Sequence, residues 1–124
     1  MKTVYVAGNP LVKEDSVPLK LKDKLAESFP SIEFRELEPT DDMPEDRTLN
    51  IIDTVIGVDK VTIISDIDKI VTGKVYSLHD FDLGFNLKLM KKMGKLDEVH
   101  IIGVPAVMDE TQALDGVVKA LKRL

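Results

Sequence analysis

Residues 98–104 read EVHIIGV, an apolar run that opens on Glu98 and is interrupted after it only by His100 and Gly103. A run of this kind has no alternation between a wet and a dry face. It fits a strand buried on both faces, as in a sheet covered on its two sides. The segments around it carry a different period. On the N-terminal side, Asp80 to Met93 predicts a helix, with Leu83, Leu87 and Met90 on one stripe. Lys91 and Lys92 suit the negative end of its dipole, and Gly94 suits the C′ position. On the C-terminal side, Leu114, Val117, Val118 and Leu121 recur at i, i+3, i+4 and i+7, the stripe of a final helix.

The same alternation extends back to the start of the chain. Thr3 to Ala7, TVYVA, is a β-rich run closed by Gly8-Asn9-Pro10. Val17, Leu21, Leu25 and Phe29 recur every four residues, with Ser16 as N-cap, Pro18 in the first turn and Pro30 at the end. Ser31 to Leu37, SIEFREL, reads as a strand with one polar face, placed near a sheet edge. Glu38 to Thr48 is an acidic loop with two prolines. LNIID, 49–53, reads as a central strand whose apolar character continues in Val55 and Ile56. KVTII, 60–64, is another strand, and Asp66 to Tyr76 is ambiguous, with room for a further short strand. Strands alternating with helices predict an α/β layered sheet, mostly parallel.

The 124 residues match one domain, 1–124, and 44% hydrophobic content supplies a core. Charged residues make up 31%, and with that hydrophobic content and a mean hydropathy near zero the composition is not the low-hydrophobicity one of disordered chains. No apolar run approaches the roughly 18 residues of a membrane span. The opening MKTVYVAG lacks the apolar stretch and cleavage site of a secretion signal. A net charge of −5 is poorly matched to phosphate backbones, so nucleic acid is not an expected partner. Cysteine is absent, which excludes disulfides, thiol chemistry and thiolate-ligated zinc or iron–sulfur centres. These features together predict a cytoplasmic protein, expected as a monomer.

Ligands of open α/β sheets gather beyond the carboxyl ends of the strands. That rule selects Glu14 and Asp15 after the first strand, Asp53 at the end of LNIID, and His79 in the loop before the penultimate helix. A lone aspartate closing an apolar run is most often a turn or cap residue, and a histidine beside a helix start is most often a surface or capping group. Taken together, two carboxylates and one imidazole suit a divalent transition metal with open coordination positions. Asp53 alone could also act as a general base. His100, inside an apolar strand, reads as a structural imidazole with a satisfied hydrogen bond. No G-x-x-x-x-G-K-[ST] or G-x-G-x-x-G occurs, so no phosphate cradle is indicated, and Ser77 lacks a nucleophile elbow. The acids Glu38, Asp41, Asp42, Glu45 and Asp46 read as a solvated loop. Phe81 and Phe85 read as helix residues facing the core.

Four segments meet the pattern of a known family. GNPLVKEDSV, 8–17, resembles the GN-x-L-x-x-D-D/E signature of nickel–iron hydrogenase maturation endopeptidases. IIDTVIGV, 51–58, is similar to that family's apolar strand ending in aspartate. SLHDFDLGFNLKL, 77–89, resembles its S-x-H followed by a leucine-rich helix, and EVHIIGVPA, 98–106, its last core strand. The HDFDLG wording resembles archaeal and formate-lyase-type members. The resemblance implies a three-layer α/β/α fold with a mixed, mostly parallel five-stranded sheet. It also implies removal of a C-terminal peptide from the precursor of a hydrogenase large subunit after nickel insertion. Carried across, the family's catalytic, metal-contacting positions fall on Asp15, Asp53 and His79. The nickel would arrive with the precursor, held by that protein's own cysteines, and cadmium or zinc could occupy the same ligands.

Two other classes compete. A receiver-like signalling domain also carries a strand-end aspartate, but GNP stands where its acidic pair would follow the first strand, and Val104-Pro105-Ala106 where its lysine would stand. A non-catalytic nickel-binding assembly factor would keep the site and lose the cut.

Overall fold

EVHIIGV forms a strand that holds two others together. The computed structural model describes residues 2–7, 17–37, 46–65, 76–77 and 83–124, with 76–77 and 83–86 described by backbone alone. In chain order the elements are β1 (Lys2–Val6), α1 (Val17–Ser28), β2 (Ile32–Glu36), β3 (Thr48–Ile56), β4 (Thr62–Ile64), β5 (Tyr76–Ser77), α2 (Leu83–Lys92), β6 (Glu98–Pro105) and α3 (Glu110–Arg123). The main sheet runs β2-β1-β3-β6-β4. The β1–β2, β1–β3 and β3–β6 pairs are parallel, and β4 lies antiparallel against β6. The fold is therefore α/β and mostly parallel, as the residue pattern predicts, with the five strands of a mixed sheet in continuous order, as the resemblance implies, and β5 paired with β3 off that path. β3 is central and β2 is an edge, also as expected.

Adjacent apolar residues serve opposite faces because successive strand side chains alternate. Ile51 and Ile101 join Tyr5, Val55, Val99 and Leu87 of α2 in one cluster. Ile52 and Ile102 join Val4, Val6, Leu21 and Leu25 of α1, and Val117 and Leu121 of α3, in the other. This is why neither LNIID nor EVHIIGV shows a polar face. Gly103 serves the packing of the first cluster's face: a Cβ there would stand 2.8 Å from Cγ2 of Val55 and 3.3 Å from Cδ1 of Ile64.

The helices follow their predicted stripes with one rotation. Leu21 and Leu25 of α1 are wholly buried, and Phe29 packs against the same cluster beyond the helix end. α2 ends as predicted. Gly94 has φ +74°, its N–H donates to Lys91 O, and the Lys95 N–H donates to Met90 O. Those two bonds form a Schellman motif. In α3 the buried residues are Ala113, Val117, Ala120 and Leu121, whereas the predicted Leu114 and Val118 are only partly buried. The buried stripe therefore runs through Ala113 and Ala120 rather than through Leu114 and Val118. Asp109, which the sequence reading passed over, caps this helix through bonds from the Thr111 and Gln112 N–H groups. Among the described residues, no helix is long and apolar enough to cross a membrane.

The entries to β3 and β6 are tied together. Arg47 donates to both carboxylate oxygens of Asp97 at 2.8 Å, and its carbonyl accepts from the Asp97 N–H. Nearby, the buried Tyr5 donates its hydroxyl to Asp46 at 3.2 Å. Burial first, and the Asp46 charge second, raise the Tyr5 pKa above its ordinary value. An unfolded tyrosine ionises near pH 10, before the folded one. The contribution of Tyr5 is thus complete below about pH 10 and is lost as pH rises through the folded value. Tyr5→Phe is expected to cost about 0.5–1.5 kcal/mol at pH 7. The gap between the two chains' urea midpoints should close as pH rises from 9 to 11. A gap independent of pH would contradict this account.

Candidate functional site

Asp53 does not close its strand. The sequence reading ended that strand at Asp53, but β3 continues through Thr54 and Val55 to Ile56. Thr54 and Val55 pair with Val104 and Pro105 of β6. These β-branched residues favour extended backbone, and the ladder to β6 outweighs the poor strand propensity of an aspartate. Asp53 is consequently an interior strand residue with no solvent exposure. It shares the face of Ile51 and Val55, on the side of the sheet where Leu87 packs. Its register partner on β6 is Gly103, so no side chain projects from that position beside it.

The surroundings of Asp53 change from one strand to another. β1 runs alongside β3 as far as Val6, opposite Ile52, and the Ala7 N–H donates to Ile52 O at 2.8 Å. There β1 ends. Val55 pairs with Pro105 on one edge and with Ser77 on the other. β5 therefore takes up, antiparallel, the edge of β3 that β1 has left. Asp53 lies at the level of this exchange, where a parallel strand departs and an antiparallel one arrives. Open α/β sheets place ligands beyond the carboxyl ends of the strands where the strand order reverses, as it does between β1 and β3.

The other two predicted site residues, Asp15 and His79, lie outside the described residues, as does Glu14. So do Ser16 and Phe81, the side chain of Phe85, and the acids Glu38, Asp41, Asp42 and Glu45. The segments holding Asp15 and His79 continue in sequence from Ala7, bonded to Ile52, and from Ser77, paired with Val55. Among the described residues, no three His, Asp or Glu side chains cluster closely enough to hold a metal ion.

Thr54 is a residue the sequence reading missed. It is wholly buried, and its hydroxyl has no hydrogen-bond partner among the described residues. It faces the opposite side of the sheet from Asp53, with Ile52. The available signal was two consecutive polar residues, Asp53 and Thr54, inside an otherwise apolar run.

His100 conforms to its structural reading. Its Nδ1 lies 2.8 Å from Ser65 Oγ in a hydrogen bond, and its Nε2 lies 3.7 Å from Glu98 Oε2. It sits toward the amino end of β6, whereas Asp53 pairs toward the carboxyl end, opposite Gly103.

A carboxyl group removed from water is stable only with polar partners or a cation near it. In this position Asp53 can accept hydrogen bonds, ligate a cation or hold a proton away from bulk solvent. Comparison with family models, with curated proteins and with solved structures gives no match.

Proposed function

We propose that the chain is an endopeptidase that removes the C-terminal peptide from the precursor of a nickel–iron hydrogenase large subunit after nickel insertion. The nickel belongs to the substrate. Asp15, Asp53 and His79 would offer two carboxylates and an imidazole to its open positions, a donor set suited to a borderline divalent metal. The observation that carries the reading is the place of Asp53. It is an acid buried at the level where β1 leaves the central strand and β5 joins it. The segments after those two strands hold the other two residues. His79 follows Ser77 by only two residues, a span of at most about 7 Å.

Recognition by metal would make the cut a checkpoint on assembly. The site stays incomplete until the precursor brings its nickel, so an empty precursor is not processed. A metal held at the scissile bond polarises its carbonyl or lowers the pKa of an attacking water. Asp53, shielded from solvent, would serve either as ligand or as the base that takes the water's proton. The partner surface needed is about 800 Å² on each side. Processing of this kind places the protein in the cytoplasm.

The test is incubation of the purified chain with precursor prepared with and without nickel, followed by mass spectrometry of the intact precursor. Loss of the C-terminal peptide from the nickel-loaded form alone is expected. A nickel-loaded precursor that stays whole would reject the reading. Nickel-dependent binding without cleavage would assign the chain to assembly factors instead.

A further inference from the structure

At the edge of the sheet remote from β2, β4 and the outer part of α3 enclose a cleft of about 480 Å³. Its inner wall is apolar, formed by Val61, Ile63 and Met108. Gly116 fixes that wall, since a Cβ there would fall 2.5 Å from Cγ2 of Val61. The absent side chain lets α3 settle directly on the approach to β4.

The rim is cationic, with Lys60 beside β4 and Lys119 and Arg123 on the last turns of α3. Among the described residues, the only acid lining the cleft is Asp115, and it is engaged with Lys119 at 3.0 Å. Neither Lys60 nor Arg123 has an ion pair among the described residues. This surplus runs against the chain as a whole, whose net charge is −5. β4 also ends the strand order, so among the described residues its outer edge has no partner strand. An edge strand beside an apolar wall and a charged helix face is the setting for strand addition, in which main-chain bonds give affinity and alternate side chains give specificity.

We propose that this cleft binds an extended acidic segment of a partner protein, added as a strand to β4, with acids at every second position directed at Lys119 and Arg123. The inference is independent of the cleavage reading and of Asp53.

The probe is a fluorescein-labelled, amidated heptapeptide, Thr-Glu-Val-Glu-Val-Glu-Thr, titrated with the full chain and followed by anisotropy. The control carries lysine for each glutamate. Saturable binding of the acidic peptide alone is expected, weakening as salt is raised. Lys119→Glu combined with Arg123→Glu should weaken it by roughly tenfold or more. Asp115→Asn releases Lys119 from its intramolecular partner and should strengthen binding by about twofold to fivefold. These opposite signs cannot both come from damage to the fold, because all three side chains are exposed. N-methylation of the two valines in one peptide and of the three glutamates in another removes the main-chain donors of each edge in turn, and one of the two should abolish binding; binding that survives both would exclude strand addition. Equal binding of the acidic and basic peptides, no binding at millimolar chain, or indifference to the charge reversal would each overturn the proposal. So would full competition by millimolar inorganic phosphate, which would reduce the cleft to a simple anion site.

Discussion

Asp53→Asn is expected to slow cleavage of the nickel-loaded precursor by at least roughly 100-fold, whether Asp53 acts as base or as ligand. Asparagine has nearly the same shape and keeps one oxygen acceptor, so packing against Ile51 and Val55 should survive. What it lacks is the negative charge and the capacity to take a proton. Loss of a base and loss of a ligand separate in a second measurement. If the carboxylate ligates, the variant should also bind the nickel-loaded precursor more weakly. If it takes a proton, binding should persist while single-turnover cleavage collapses. Circular dichroism and the melting temperature report whether the fold is retained. A folded variant that cuts at the native rate removes Asp53 from the reaction, and with it the proposed site.

The strand–helix order was readable because apolar period and apolar continuity are local properties. Leu21 and Leu25 stand four residues apart on one helical face, and both are wholly buried. The continuous run around Ile101 and Ile102 announced a strand packed on two sides, and each isoleucine enters a different cluster. The extent of β3 was less readable. An acid inside a strand violates both propensity and burial rules, so the pattern places a strand end at Asp53, where pairing of Thr54 and Val55 with β6 and of Val55 and Ile56 with β5 carries the strand three residues farther. The direction of β4 was also hidden. Nothing in KVTII distinguishes parallel from antiparallel pairing with a strand almost forty residues away. The rotation of α3 has a similar origin, since Ala113 and Ala120 are too small to register in an apolar stripe, yet both are buried on its inner face.

The candidate site was legible to a different degree. Carboxylates and an imidazole near strand termini can be picked out from residue type and position alone. Their mutual distance depends on which strands are neighbours and where each ends. The structure supplies that information for the strands themselves: β1 stops at the level of Asp53, and β5 begins beyond it. His100 shows the value of context in the opposite direction. Its 2.8 Å hydrogen bond with Ser65 accounts for it as a structural residue.

The sheet's central strand also sets the scale of stability. Ile52 is wholly buried between β1 and β6, on the face covered by α1 and α3. Ile56, four residues along the same strand, is 49% exposed. Ile52→Ala removes three carbons from a site bounded by rigid sheet and two helices, where neighbours can collapse only partly. The expected cost is about 2–5 kcal/mol, from lost transfer energy and the residual cavity. Ile56→Ala deletes the same atoms from a position already half in water, and its cost should stay near the roughly 0.5 kcal/mol of ordinary surface changes. Urea unfolding of both variants gives the comparison directly, with midpoints shifted strongly for the first and little for the second at unchanged m-value. The strand propensity lost on replacing isoleucine with alanine is common to both, so the difference between them isolates burial. Equal destabilisation would mean that β3 is held by strand propensity rather than by the two-sided core.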